Sequence, residues 1–318
     1  METLSVGVVI PSYNAAALIG SALQSALDQR PPPEQIIVVD DGSVDETACV
    51  VQKFGGVRYV EQPNRGPSAA RNRGWRQLRT DAVVFLDADD SLLPGGLSVR
   101  RSLLTGGKAA WAYTDGFLED RAAKRWPFSE SYPPGGRRRE GRILPDLLRR
   151  NFITTSSTIV RRDALEHAGG FDESLRFVED WDLWLRLAVR HPAGFSSTPT
   201  FLQRLAPNTL SSNRDAMIRM RYQVLVKFQQ LFPREVSTAG PLARRSVADA
   251  HNWFGYAFAE AGLWGQARPF LWTSVRLWPA QRRAWWLLIR CLANAHRPGG
   301  PLGSCTRGQD SATGAVEE

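Results

Sequence analysis

The sequence is poor in the residues that build covalent or metal frameworks. Its three cysteines, Cys49, Cys291 and Cys305, are odd in number and far apart, so they form neither a disulfide framework nor a C-x-x-C metal motif. The four histidines, at 167, 191, 251 and 296, are equally scattered, which leaves a zinc site or a histidine-centred triad without support. Lysine is nearly missing, present only at 53, 108, 124 and 227; almost all of the positive charge is arginine. No stretch of about 20 residues is apolar enough to span a bilayer. Leu4 to Leu27 carries no charge, yet Glu2 stands where a signal peptide would be basic, and Pro11, Tyr13 and Asn14 interrupt the apolar run. The expectation is a soluble or peripheral protein in a reducing cytoplasm.

What is present supports a real core. The chain has 318 residues, 43% of them hydrophobic, with a net charge of +8. A basic balance implies an anionic partner: a nucleotide, a membrane surface or nucleic acid. Short β-branched runs alternate with helical patterns through the first third. "SVGVVIP", "EQIIVVDD", "VRYVEQ" and "AVVFLDADD" read as buried strands, and "AAALIGSALQSAL", residues 45–54 and "PSAARNRGWRQL" as helices between them. This predicts an α/β fold with a mostly parallel sheet covered on both faces. Ligands of such sheets bind beyond the carboxyl ends of the strands. Residues 119–142, rich in Arg, Gly and Pro, read as a loop or insertion, and "FITTSSTIVRR" resumes a strand.

Two strands end in acids. Asp87 and Asp89 flank Ala88, and on a continuing strand they would aim two carboxylates to one side. Hard divalent cations such as Mg²⁺ or Mn²⁺ take such oxygen ligands together with substrate phosphates. Asp40 and Asp41 close the second strand, where Asp-Gly-Ser is also good turn chemistry. Further along, Glu179, Asp180 and Asp182 open an amphipathic helix, where acids suit the helix dipole and one carboxylate could equally serve as a general base. Acids at the strand ends repel a phosphate backbone, and no RNA- or DNA-reading motif accompanies them, so no nucleic-acid partner is expected.

Taken together, "VVIPSYNAAALIGSALQSAL", "IIVVDDGSVDET", "NRGPSAARNRG", "FLDADD" and "GGFDESLRFVEDWDLWLRL" resemble the family 2 inverting glycosyltransferases of the GT-A fold. The resemblance runs from residue 4 to about 204. It implies transfer of a sugar from a nucleotide-diphosphate donor, most simply a UDP-sugar, to a hydroxyl of a glycan or lipid-linked acceptor. It implies that Pro11, Tyr13 and Asn14 flank the nucleotide, that Asp40 or Asp41 contacts the base, and that Arg71 lies near the base and diphosphate. Asp87 would reach the ribose and metal, Asp89 would be the principal ligand of a Mg²⁺ or Mn²⁺ ion, and Asp180 the catalytic base. Glu179, Trp181 and Arg204 are candidates for diphosphate or acceptor contacts. Where relatives carry R-x-H after the base helix, this chain has Arg204 and Ala206. The alternative is a catalytically degenerate scaffold acting through its C-terminal helices.

The expected division is a catalytic domain at 4–213 (nucleotide-sugar half 4–115, acceptor half 116–213), a helical region at 214–298 and a disordered tail at 299–318. "HNWFGYAFAEAGLWGQARPFLWTSVRLWP" resembles one tetratricopeptide-type helical hairpin. Arginine interleaved with six tryptophans between Arg244 and Arg297 fits either core tryptophans beneath a basic face or helices lying on a membrane surface. The second reading places the chain peripherally on the inner face of the plasma membrane.

Overall fold

A computed structural model describes residues 4–106, 109–131, 140–205, 214–238 and 240–294. The expected tail at 299–318 and position 206 lie outside the described residues. The chain divides into two compact units, Met1–Ala250 and His251–Glu318.

The first unit opens with β1 (Val6–Ser12), α1 (Ile19–Leu27), β2 (Gln35–Asp40), α2 (Thr47–Val51), β3 (Val57–Glu61), α3 (Pro67–Gln77) and β4 (Ala82–Phe85). These strands pair in parallel in the order β3-β2-β1-β4. Both faces of β1 are buried because its alternate residues meet different helices. Val6, Val8 and Ile10 join Ile19, Ala22 and Leu23 of α1 in one cluster, each such side chain stabilising by roughly 1.5–3 kcal/mol. On the other face, a Cβ at Gly74 of α3 would stand 2.4 Å from Val9 Cγ1. Glycine is therefore what lets α3 lie directly on β1.

There follow β5 (Ser91–Leu92), α4 (Gly96–Leu104), β6 (Trp111–Glu119), β7 (Arg125–Pro127), α5 (Leu144–Arg149), β8 (Thr158–Arg161), α6 (Arg162–Ala168), α7 (Glu179–Arg190) and β9 (Ala193–Arg204). The full sheet runs β3-β2-β1-β4-β8-β6-β9-β5, with β7 beside β6. Beyond β4 the pairing is mixed: β8 is antiparallel to both β4 and β6, while β6 and β9 are parallel. Helices α8 (Arg214–Leu231) and α9 (Pro233–Thr238) follow.

Three local expectations are corrected. The strand ending in acids stops at Phe85, and Asp90 N–H donates to Asp87 O at 3.0 Å to close a turn. Asp87 and Asp89 thus share a turn, not one face of a strand. In this turn Asp87 and Asp89 are half-buried while Asp90 goes inward. The loop expected at 119–142 holds the β6–β7 hairpin in its described part, clasped by Arg125 and Glu119 at 2.6 Å. The strand expected from "FITTSSTIVRR" is only β8, because Thr155–Ser157 forms a 3₁₀ turn. There the Ser157 and Thr158 hydroxyls donate to the carbonyls of Thr154 and Thr155, competing with a ladder.

Helix α10 (Gly240–Glu260) crosses the division, and α11 (Trp264–Leu277) and α12 (Arg282–Asn294) belong to the second unit. Within that unit Phe254, Phe258, Phe270, Leu271 and Val275 are buried. A Cβ at Gly255 would fall 2.5 Å from Leu271 Cγ, so glycine again sets the closeness of two elements. Among the described residues, no helix is long and apolar enough to cross a membrane.

Candidate active site

At the carboxyl ends of β1, β2 and β4 lies a pocket of about 710 Å³, within the range of small-molecule sites. Pro11, Tyr13, Asn14, Asp41, Arg71, Asp87 and Asp89 all line it. Seven of the residues expected around a donor therefore meet in one place. Asn14 ties its loop to the neighbouring turn: its N–H donates to Ser43 Oγ at 2.8 Å, and its side-chain oxygen accepts from Val44 N–H at 2.9 Å.

The first acidic pair is fully partnered. Asp40 is buried and does not line the pocket; it accepts from Ser43 N–H at 2.8 Å and the Tyr59 hydroxyl at 2.6 Å. Burial first, then the hydrogen bond to Asp40, pushes the Tyr59 phenol well above its ordinary value. Asp41 accepts from Gln62 Nε2, Arg65 N–H and Gly66 N–H at 2.7–2.8 Å. It thereby shapes the 62–66 loop that leads into α3.

The second acidic cluster is different. Asp87 N–H donates to Ser156 Oγ at 3.1 Å, and its carboxylate accepts from Arg71 Nη2 at 2.7 Å. The other Arg71 nitrogen, Nη1, donates to Glu179 at 2.7 Å. One buried guanidinium thus joins the acidic turn to the first residue of α7. Asp89 lies half-buried beside them; desolvation, then the charge of Asp87, pushes it up to about 6. Asp90 is buried, and desolvation followed by the charges of Asp87 and Asp89 raises it well above the usual carboxylate range. Arg204 places its Nη1 3.2 Å from the Asp89 carbonyl and its Nε 3.6 Å from Glu119.

The start of α7 is strained. Val178 has φ 55°, a left-handed conformation that β-branched residues rarely adopt, and such strain gathers at functional sites. Each acid of the first turn has its own partner: Glu179 has Arg71, and Asp180 accepts from Asn151 Nδ2 at 2.9 Å. Asp182 is held by Arg186 at 2.6 Å and by Lys227 of α8 at 2.7 Å, a structural clasp. Lys227 also grips Asp172 at 2.6 Å. Desolvation would raise Asp172, but hydrogen bonds from Lys227 and Ser174 outweigh it and lower it to about 2. Asp180 goes the other way. Desolvation, then the charge of Glu179, pushes it up to about 7, where a carboxylate can exchange protons near neutrality. Trp181 is 2% exposed and donates its indole N–H to Leu147 O at 2.8 Å, and Trp184 stacks on Trp111.

Sequence reading missed Asn72, Asn151 and Ser156. Asn72 is a buried hub: it donates to Phe171 O and Glu173, and accepts from Phe171 N–H and Trp75 Nε1, at 2.8–3.0 Å. It holds the "GGFDES" turn onto α3. Its neighbour Arg71 had a motif position to mark it; Asn72 offered only its place in "AARN".

Asp87 and Asp89 are hard oxygen donors on one turn, and their mutual repulsion leaves a charge deficit that a divalent cation would fill. No cluster of three or more Asp, Glu, His or Cys side chains arranged for a metal occurs among the described residues. The two carboxylates therefore fit a cation that takes its remaining ligands from phosphates and water.

The chain is similar to several known proteins. An uncharacterised glycosyltransferase of Rickettsia felis is 27% identical over 197 residues, covering 61% of this chain and 32% of the relative. The succinoglycan biosynthesis protein ExoU of Rhizobium meliloti is 30% identical over 212 residues, covering 56% of this chain and 55% of the relative. The chain thus spans about a third to a half of the length of these relatives. Among solved structures, TarS 1-349 of S. aureus in complex with UDP-GlcNAc gives a TM-score of 0.58 at 16% identity, covering 92% of this chain and 91% of that one. The mannosyltransferase PcManGT of Pyrobaculum calidifontis, in complex with GDP-Man and Mn²⁺, gives 0.53 at 20% identity, covering 92% and 87%. At these identities the structures show a shared GT-A fold. The sequence profile described as Glycosyl transferase family 2 matches residues 7–169, from β1 through the acidic turn to the glycine that ends α6. With more than half of its length inside that match, the chain belongs to glycosyl transferase family 2.

Proposed function

We propose that the protein transfers a sugar, with inversion, from a nucleoside-diphosphate donor to a hydroxyl of a glycan or lipid-linked acceptor in polysaccharide assembly. One observation carries the reading: buried Arg71 bridges Asp87, on the pocket wall, and Glu179, the residue before Asp180. It ties the carboxylates suited to a donor to the one suited to a base. The nucleotide occupies the pocket between Tyr13 and the 64–67 loop, and the diphosphate lies over Asp87 and Asp89. A Mg²⁺ or Mn²⁺ ion held by these two residues would supply Lewis-acid stabilisation of the leaving diphosphate. Asp180 accepts the proton of the acceptor hydroxyl as its oxygen bonds to the anomeric carbon and the carbon–phosphate oxygen bond breaks. A single base on the far side of the donor needs no covalent intermediate, which is why inversion follows. Arg71 pairs with Asp87 and with Glu179 at 2.7 Å each and so fixes them relative to one another, and Arg204 is placed to meet the diphosphate.

The relatives support the chemistry in its broad outline: TarS was solved with UDP-GlcNAc, PcManGT with GDP-Man and Mn²⁺, and ExoU is named for succinoglycan biosynthesis. Uracil is the base we assign. Thermal stabilisation by UDP, GDP and dTDP, each with and without Mn²⁺, tests the donor site. Binding at 100 times Kd adds about 2.7 kcal/mol, and a Mn²⁺-dependent shift with UDP is expected. Sugar transfer should fall ~10²–10⁴-fold in Asp180→Asn, the usual contribution of a general base. Absence of any nucleotide shift on folded protein would favour the degenerate scaffold.

A further inference from the structure

We propose that the outward face of α12 docks onto an anionic lipid bilayer. Helix α12 is apolar on two opposite sides. Ala284, Leu287, Leu288 and Cys291 are buried within the unit. Trp285, Trp286, Ile289 and Leu292 recur on the other side at helical spacing and are 42%, 55%, 64% and 51% exposed. Four large apolar side chains over two turns form a patch that a protein working in water alone does not maintain. From 295 to 318 the sequence offers only Leu302 and Val316 as large aliphatic side chains.

Charge selects the occupant. From residue 261 to 294 there is no acid and no lysine, only Arg268, Arg276, Arg282, Arg283 and Arg290. Two of these lie over aromatic rings: the Arg290 guanidinium carbon is 4.6 Å from the Trp286 centroid, and that of Arg283 is 4.1 Å from the Tyr256 centroid. An arginine held over an aromatic face keeps its charge close to the apolar surface, as needed at the boundary between lipid headgroups and acyl chains. The Trp285 indole N–H is already satisfied by Pro279 O at 2.9 Å, so its ring can enter an apolar layer without stranding a donor. A second copy of the same face would set the arginines of α12 against themselves, and α12 itself carries no acid to offset them. An anionic bilayer offers both an apolar layer and a continuous negative surface.

The inference is independent of the donor reading, because the assay reads binding alone. The full-length chain is sedimented with phosphatidylcholine vesicles, with or without about one third phosphatidylglycerol, at low salt and at ~0.5 M salt. Binding is expected only with the anionic lipid and weaker at high salt. The double variant Trp286→Asp/Ile289→Asp should lose at least tenfold in partitioning, with unchanged circular dichroism and melting temperature. A milder pair, Arg282→Gln/Arg290→Gln, should weaken binding at low salt and leave the fold intact. Failure to bind anionic vesicles at low salt overturns the proposal, as does wild-type binding by both variants. So does a concentration-dependent dimer that the double variant abolishes, for the face would then be a contact between copies of this chain.

Discussion

Strands β2 and β4, which flank β1 on either side, both run into acids at their carboxyl ends, yet the sheet treats the two ends in opposite ways. After β2, the carboxylates of Asp40 and Asp41 accept five hydrogen bonds, from Ser43, Tyr59, Gln62, Arg65 and Gly66. After β4, Asp87 has Arg71, while Asp89 and Asp90 are driven toward their neutral forms by burial and then by the charge of Asp87. The first end is a joint: it stores its charge in backbone and side-chain donors and holds a loop. The second is held at a cost, and the repulsion is relieved only by an incoming positive charge. Acids in the same place in a fold thus do different work according to how many donors surround them.

The contrast is sharpest in Asp89→Asn. Losing a ligand to a cation that stabilises the leaving group should remove several kcal/mol of transition-state stabilisation, at least ~100-fold in rate at 1.36 kcal/mol per tenfold. Because the substitution also relieves repulsion from Asp87, the melting temperature of the free protein should hold or rise. Scanning calorimetry beside a transfer assay reads both. A destabilised but active Asp89→Asn would erase the distinction between the two strand ends.

Asp41→Ala should behave in reverse. It leaves the N–H groups of Arg65 and Gly66 and the Gln62 amide without their acceptor, a loss of about 2–4 kcal/mol. Denaturant unfolding of the free protein should show that loss before any ligand is added. If stability is unchanged and only nucleotide binding falls, Asp41 is a ligand contact and not a joint.

How much of this was legible in the sequence depends on the range of the interaction. Strands β1, β2 and β4 and the helices between them follow from local pattern, because continuous apolar runs of that length have few other fates. Pro11, Tyr13, Asn14, Asp41, Arg71, Asp87 and Asp89 line one pocket, and their motif positions had already grouped them. The turn at Asp87–Asp90 was hidden, since nothing in "FLDADD" says where the ladder ends. Arg71 was marked by its motif, but its bond to Glu179, 108 positions away, left no local signal. Asn151 and Asn72 act through single hydrogen bonds across the fold, and a lone asparagine carries no periodic signal. The six tryptophans after Arg244 were ambiguous between core and surface; Trp253, Trp272, Trp285 and Trp286 are exposed, and Trp264 and Trp278 are half-buried.

The smallest expected effect probes the third acidic site, at the start of α7, and places it on one side of the comparison. Asp180 stands at about 7 when folded and near ~3.9 when unfolded. The native state therefore keeps its proton longer. Between pH ~4 and ~7 this group makes stability fall as pH rises, and its cost is fully present above pH ~7. Catalysis has the opposite sign, because a base must be ionised: kcat/KM should climb through pH ~7, reporting the free enzyme. Asn151 donates to the Asp180 carboxylate and so favours the ionised form. Asn151→Ala should move the acidic limb to higher pH by about one unit, the worth of a hydrogen bond to a charged group, while the plateau rate at high pH is retained. An unshifted limb with a lowered plateau would mean that Asn151 merely packs the segment before β8. A shifted limb would class Asp180 with Asp89, as a carboxylate whose few donors leave its charge available to the reaction.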